Sequence, residues 1–261
     1  MQGDLLDLRS VRHAVQGVSS VYFAYPVQDG LLEATAIMAS AAREAGVTRL
    51  VDLVMLTSGP DAPTPRMRQN YLSEQVFDWA GIGAAHVRAT VFYENVRKLV
   101  RPGLAKDGTV RLPWGDGGAV LPLVSGEDVA RVAAGLLTGT AAPADHAYPV
   151  VGDVRTVRDL FDTLGQVLGR EVRYQEVSDE EWKAGALAVG INEHAAEHLS
   201  NLWRTLRTAS EPAGPVPFQV TDTIEMLGGV QPRMFETFVR EQRHALSGDA
   251  APPARRSREG S

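Results

Sequence analysis

The first 95 residues alternate between short apolar runs of strand-like composition and amphipathic runs typical of helices, and this alternation is the strongest constraint on the fold. Strand-like runs occupy residues 19–26, 49–59 and 84–95, and helical runs occupy residues 31–47 and 66–83 between them. Because a helix separates each strand from the next, the strands are expected to run in parallel with right-handed crossovers. The first half of the chain therefore predicts an α/β fold built on a parallel sheet.

The pattern becomes less regular after residue 106 and predicts a smaller second unit. Residues 107–124 are typical of a β-hairpin that turns at Gly115–Gly118, and a helix follows that begins near Ser125. We divide the chain into a sheet domain at residues 1–150 and a substrate-side subdomain at residues 151–246. Residues 247–261 have too little apolar surface to offset the cost of ordering and are predicted to form a disordered tail.

Composition excludes several classes of function. The chain has no cysteine, which removes disulfides, thiolate nucleophiles and sulfur-ligated metals. A net charge of −6 and a pI near 5.6 argue against nucleic acid or an anionic membrane as a partner. No apolar run approaches the roughly 20 residues of a membrane span, and the N-terminus lacks the pattern of a signal peptide. We expect a cytoplasmic protein that acts on a small molecule.

One motif in the second half matches the spacing of a metal site. His194, Glu197 and His198 have the H-x-x-E-H pattern of one class of zinc protease, and residues four apart on a helix project from the same side. Candidates for a further ligand lie downstream at Glu211, Asp222 and Glu225, but none is identified by its spacing. We expect a solvated or pocket-facing helix here, and we predict no metal.

Motifs spread over most of the chain resemble the NmrA-like group of atypical short-chain dehydrogenases/reductases. Residues 3–26 (GDLLDLRSVRHAVQGVSSVYFAYP) resemble the exit of that family's third strand, the following helix and the fourth strand, and residues 51–59 (VDLVMLTSG) resemble its fifth strand. The other landmarks are SEQVFDWAGI, VRATVFYENV and LPLVSGEDVARVAAGLL. Their order and spacing carry the resemblance, since no single motif is specific.

The family's proteins begin with a strand, a glycine-rich turn and a helix whose N-terminus holds the pyrophosphate of a dinucleotide, and this unit has no counterpart here. We therefore expect a parallel Rossmann-type sheet that is truncated at its N-terminal dinucleotide half, with a smaller, mostly α C-terminal subdomain. One interpretation is that the natural protein extends roughly 45 to 60 residues further upstream, the size of a βαβ unit. If Met1 is the true start, the fourth strand becomes an exposed edge, which we expect a homodimer to cover.

The resemblance implies NAD or NADP as cofactor, bound in a crevice at the carboxyl ends of the strands. The residues predicted to bind the cofactor are Phe23, Ala24, Tyr25, Pro26, Thr57, Ser58, Arg88, Ala89 and Thr90. An aromatic pocket beside them is predicted to bind a flat substrate through Phe92, Tyr93, Asn95 and Trp114. The alternative for Phe92 and Trp114 is that they only fasten the smaller domain to the sheet.

The catalytic candidates are Tyr71, Ser58 and Asn70. Tyr71 lies in the helix that carries the Tyr-x-x-x-Lys motif of short-chain reductases, but Gln75 stands where the motif has lysine. Asn70 falls where many NmrA-like members have histidine or lysine, and an amide can orient a ribose or a carbonyl but cannot lower the pKa of a phenol as an ammonium does. Ser58 could polarise a carbonyl. The alternative for Tyr71 is that its ring only packs on the sheet, and the alternative for Ser58 is that it only begins a turn.

The predicted function is an NmrA-like NAD(P)-binding oxidoreductase that acts on a small cyclic carbonyl or quinone-like compound. Two alternatives stay open. The missing Tyr-Lys pair favours a non-catalytic NAD(P)-sensing regulator. The missing phosphate loop favours a cofactor-independent isomerase, cyclase or dehydratase that uses the same crevice.

Overall fold

The computed structural model describes residues 3–139, 146–209 and 218–247. In chain order its strands are β1 (Ser20–Phe23), β2 (Arg49–Met55), β3 (Ala84–Ala89), β4 (Val91–Phe92), β5 (Thr109–Leu112), β6 (Val120–Val124), β7 (Ala147–Val150), β8 (Asp153–Thr156) and β9 (Arg173–Glu176). Its helices are α1 (Leu8–Ala14), α2 (Leu31–Glu44), α3 (Pro65–Ala80), α4 (Tyr93–Lys106), α5 (Gly126–Thr138), α6 (Val157–Leu168), α7 (Asp179–Ala188), α8 (Glu193–Ala209), α9 (Thr223–Gly228), α10 (Phe235–Glu241) and α11 (Arg243–Ser247).

The main sheet is parallel throughout and has the strand order β1-β2-β3-β7. The three strand-like runs of the first half therefore pair side by side in one direction, which confirms the predicted α/β fold. β2 lies between two neighbours and is buried on both faces, as its sequence, apolar except at Arg49 and Asp52, indicates. β1 pairs with β2 alone among the described residues, and Tyr22 on β1 is exposed. The homodimer expected at this edge stays a prediction.

Helices cover the two faces of the main sheet. α1, α2 and α3 lie on one face, where Leu50 of β2 packs with Phe77 of α3 in a single apolar cluster. α5 and α9 lie on the other face, where Val51 and Val87 pack with Val132. Because both faces are covered, any ligand must reach the sheet at its strand ends.

Helix α3 is fixed at both ends by local sequence. The Thr64 side chain accepts a hydrogen bond from the Met67 N–H at the N-terminus, and Pro65 occupies the first turn, where its missing N–H costs nothing. The helix ends at Gly81, whose left-handed backbone (φ 65°) suits glycine. These signals set the position of the catalytic candidates Asn70 and Tyr71.

The predicted hairpin at residues 107–124 is wrong. β5 pairs in parallel with the distant β9, whereas β6 pairs in parallel with β4 and antiparallel with β8. Tyr174 of β9 fixes the connection between β5 and β6, because its hydroxyl accepts from the Trp114 N–H (3.1 Å) and donates to the Gly115 carbonyl (2.8 Å). The glycines permit a turn, but they do not select the strand that pairs with β5.

The largest apolar cluster combines side chains from both sides of residue 150, from Val91 on β4 to Leu246 on α11. The division of the chain at residue 150 stays a prediction. Ser247, placed in the predicted tail, ends helix α11, and residues 248–261 lie outside the described residues. Among the helices that the structure describes, none is both long enough and apolar enough to cross a lipid bilayer.

Candidate functional site

The carboxyl ends of β2 and β3 meet at one edge of the sheet, with Met55 directly opposite Ala89. A small cavity of about 50 Å³ opens there. Its walls include Thr57 after β2, Thr90 after β3, and Leu202 and Leu206 of helix α8, which lies across the strand ends. We call this space the strand-end cavity. Its position is the one at which open parallel sheets bind ligands.

Thr57 supplies the free polar group of the strand-end cavity. Its Oγ1 atom is buried and has no hydrogen-bond partner among residues 3–139, 146–209 and 218–247. The hydroxyl of Thr90, by contrast, donates to the Pro122 carbonyl at 2.8 Å. Because buried hydroxyls in folded proteins are almost always paired, the Thr57 hydroxyl is a candidate partner for a water molecule or a ligand.

Ser58 has a different environment from its neighbour. Its Oγ donates to the Met55 carbonyl at 2.6 Å and so closes the turn that follows β2. The hydroxyl proton is therefore engaged, and only the oxygen lone pairs can receive a hydrogen bond from a ligand.

The end of β1 is held in place by contacts with helix α3. Phe23 is buried and packs edge-to-face on Phe77, with ring centroids 5.2 Å apart. The carbonyls of Tyr25 and Pro26 both accept hydrogen bonds from the guanidinium of Arg66, at 3.2 and 3.1 Å. Ala24 and Pro26 are exposed. The loop after β1 is thus rigidly attached to the start of α3.

The two catalytic candidates on α3 differ in burial. Asn70 is buried, and its side-chain amide donates to the Arg66 carbonyl one turn earlier at 2.9 Å. Tyr71 is half-buried and lies close enough to Arg88 of β3 to interact with its charge. Arg88 itself makes two hydrogen bonds to the buried carboxylate of Glu74, at 2.8 and 2.6 Å. The pairing fixes α3 on the sheet beside the strand ends.

The predicted substrate residues do not form one pocket. Tyr93 is fully buried and donates its hydroxyl proton to the Arg233 carbonyl at 2.8 Å. Trp114 is buried in the same cluster, with its ring 5.2 Å from that of Trp203. Phe92 is half-buried, and Asn95 is exposed. Tyr93 and Trp114 both lie in the largest apolar cluster, and their predicted role in substrate binding stays a prediction.

A second cavity of about 480 Å³ lies between the loop after β1, the N-terminus of α3 and the first half of α8. We call it the α8 cavity. The side chains most important for its chemistry are Arg66, Lys183, His194, His198 and Asn201. The H-x-x-E-H pattern in the sequence pointed to His194, Glu197 and His198, and all three line this cavity. Within the described part of the chain, no three histidine or acidic side chains are grouped to hold a metal ion.

Comparison with known proteins agrees with this architecture. A sequence profile of the NmrA-like family matches residues 1–238. The (4-alkanoyl-5-oxo-2,5-dihydrofuran-3-yl)methyl phosphate reductase of Streptomyces griseus is 31% identical over 252 residues, which is 95% of this chain and 84% of that protein. The NAD(P)H azoreductase of Xenophilus azovorans is 26% identical over 250 residues, with 95% and 83% covered.

Solved structures of similar fold include two reductases. The NADPH-dependent quinone oxidoreductase QOR2 of Escherichia coli, in complex with NADPH, superposes with a TM-score of 0.76 at 21% identity, covering 92% of this chain and 82% of that one. The triphenylmethane reductase of Citrobacter sp., in complex with NADP(H), superposes with a TM-score of 0.74 at 21% identity and the same coverage. At this identity the likeness shows the fold alone. The profile match over most of the chain shows that the protein belongs to the NmrA-like family.

Proposed function

We propose that the protein is an NAD(P)H-dependent reductase that acts on a small cyclic carbonyl or quinone-like compound. The unpaired Thr57 hydroxyl carries this proposal, because Thr57 lines a mostly apolar cavity where two parallel strands end. The reductase activities named for the two relatives support it. One of those relatives is named for a substrate that bears a phosphate ester.

The strand-end cavity suits the nicotinamide end of a dinucleotide. Thr57 would hold the ring's carboxamide, and the apolar walls from Ala89 and Leu202 would cover a flat ring. When bound, the nicotinamide supplies the hydride. The sequence contains no G-x-x-G-x-x-G turn to receive the pyrophosphate. The proposed contacts with the cofactor are therefore those of the residues at the strand ends.

Three side chains near the strand ends are proposed to handle the substrate. Tyr71 would place the proton, since its phenol is only half-buried and it is the phenol that α3 carries beside the sheet. Asn70 uses one amide N–H on the Arg66 carbonyl, which leaves its oxygen and its second N–H to orient a carbonyl compound. Ser58 can accept a hydrogen bond but has already committed its own proton.

The test is consumption of NADPH and NADH by the purified protein with a quinone, an azo compound and an alkanoyl butenolide. We expect turnover with at least one of these compounds. Tyr71→Phe should lower kcat about 100-fold if the phenol places the proton. Tyr22→Phe, at an exposed position on β1, is the matched control. No consumption with any compound, or equal kcat for the two variants, would overturn the proposal.

A second candidate, a non-catalytic NAD(P) sensor, is favoured by the composition of α3. The helix contains no lysine to assist Tyr71. A sensor would be stabilised by the dinucleotide, by roughly 2.7 kcal/mol at 100 times Kd, without turning over any compound of the panel. Turnover with no dinucleotide present would instead indicate a cofactor-independent enzyme.

A further inference from the structure

The α8 cavity is lined by a buried positive charge that no carboxylate of the described residues neutralises. Arg66 is 7% exposed, and its guanidinium donates to three backbone carbonyls, those of Tyr25, Pro26 and Gln28. Within the described residues, no carboxylate oxygen lies within 4 Å of this side chain. Three of the five guanidinium N–H donors are used, which leaves two. A buried charge held only by neutral dipoles is costly, and an anion would offset the cost.

A buried imidazole without a partner faces the same cavity. His198 is 7% exposed, and its Nδ1 has no hydrogen-bond partner in the part of the chain that the structure describes. One turn earlier, His194 directs Nδ1 to Asp29 at 3.0 Å, but its buried Nε2 is also unpaired. Both rings therefore have a free nitrogen on one side of α8. The cavity is built with polar atoms that its own residues do not satisfy.

The charges around these histidines disfavour a cation. Burial, followed by the charges of Arg66 and His194, lowers the pKa of His198 to about 4. A positive potential that hinders binding of a proton also hinders binding of a metal ion. The N-terminus of α3, whose residues Thr64 and Pro65 line the cavity, adds its positive dipole end.

The acidic residues of the cavity lie at its exposed rim. Asp29 has a side-chain exposure of 96% and faces His194, whereas Glu197 is paired with Lys183 and Asn201. Glu193 is exposed. Solvent screens these carboxylates, whereas Arg66 and His198 act from the buried end. The inner part of the cavity is therefore suited to an anion.

We propose that the α8 cavity binds the phosphoryl group of a phosphate-monoester substrate, with Arg66 and His198 as the buried donors and Lys183 at the rim. The proposal rests on the proposed reductase function for the identity of the other half of the substrate. Helix α8 supports this arrangement, since its consecutive residues Asn201 and Leu202 line the α8 cavity and the strand-end cavity, respectively. The two cavities therefore lie on adjoining sides of the same helix.

The first experiment is a calorimetric titration of the full chain with inorganic phosphate. We expect saturable binding by the wild type that weakens at least about tenfold in Arg66→Gln and in His198→Gln, because each variant removes a buried donor. Arg68→Gln is the matched control, since Arg68 lies two positions along the same helix and donates to the Ala62 carbonyl. Arg66 also fixes the loop after β1, so thermal melts must establish that its variant is folded. If the Arg66 variant does not fold, the His198→Gln variant still tests the proposal.

A second arm identifies the source of the phosphate. We expect NADPH and inorganic phosphate to bind together, and a phosphate monoester to displace inorganic phosphate while its dephosphorylated form does not. Displacement by NADPH would assign the cavity to the cofactor and overturn the proposal. Absence of saturable phosphate binding in the folded wild type, or equal binding by His198→Gln and Arg68→Gln, would also overturn it. Phosphate binding is measured without turnover, so an inactive protein that binds phosphate would contradict the reductase function alone.

Discussion

The Nδ1 atom of His86 lies 2.5 Å from Oδ1 of Asp52, and Nε2 of the same ring lies 3.1 Å from Oδ1 of Asp78. Asp52 and His86 are directly paired on neighbouring strands and almost fully buried. Burial disfavours the charged ring, but hydrogen bonds and charges from Asp52 and Asp78 outweigh it and raise the pKa of His86 to about 9. Burial also raises the pKa of Asp52. The pair thus retains one proton at neutral pH.

This retained proton predicts a loss of stability at alkaline pH. An unfolded histidine has a pKa near 6.5, so the contribution of His86 is complete below that pH and is lost as the pH rises to about 9. At roughly 1.4 kcal/mol per pH unit, the free energy of unfolding should fall by about 3 kcal/mol across this window. Urea unfolding at pH 6.5 and at about pH 9 measures this change in the free energy of unfolding. The double variant Asp52→Asn/His86→Gln removes both coupled groups and should abolish the dependence, whereas His146→Gln, at an exposed site, should keep it. Equal wild-type stability at both pH values would contradict this account.

The ion pair between Glu74 and Arg88 should contribute to stability because the carboxylate is buried. Arg88→Gln leaves the buried Glu74 carboxylate without its charged partner, and we expect the free energy of unfolding to fall by about 3 kcal/mol. Chemical denaturation measures the change. Glu44→Gln, which breaks the exposed pair with Arg12, is the control and should have little effect. Similar stability of the two variants would show that the buried pair is not stabilising.

Gly135 allows helices α5 and α9 to approach closely. A Cβ atom added there would lie 2.0 Å from the Leu227 carbonyl oxygen, so Gly135→Ala must push the helices apart. We expect a loss of about 1–3 kcal/mol in the free energy of unfolding. Gly185→Ala in α7 meets no atom within 4 Å and should instead stabilise by up to about 1 kcal/mol. Stabilisation by both substitutions would contradict the observed packing of α5 on α9.

The sheet and its strand ends could be predicted because they depend on local periodicity and on one rule of connection. Three apolar runs separated by helices must lie in parallel, so their carboxyl ends, with Thr57 and Thr90, must meet. The pairing of β5 with β9 could not be predicted in this way, since the two strands are far apart in sequence and a glycine-rich turn between β5 and β6 does not choose a partner.

Only the H-x-x-E-H residues of the α8 cavity could be predicted from the sequence. The spacing of His194 and His198 indicates one side of a helix, but the element opposite that side depends on the tertiary fold. No sequence pattern predicts that Arg66 is buried or that it lines a cavity. Its burial and its hydrogen bonds depend on the position of the loop after β1 in the folded protein. The same holds for Asp52 and His86, which meet through strand register alone.

The central claim is that a dinucleotide binds at the strand ends and engages Thr57. The most direct measurement is the Kd of NADPH for the wild type, Thr57→Val and the control Thr163→Val, which removes a buried hydroxyl from helix α6. Loss of one hydrogen bond should weaken binding about three- to tenfold in Thr57→Val, and the control should match the wild type. A wild type that does not bind NADPH, or equal Kd values for the two variants, would contradict the account.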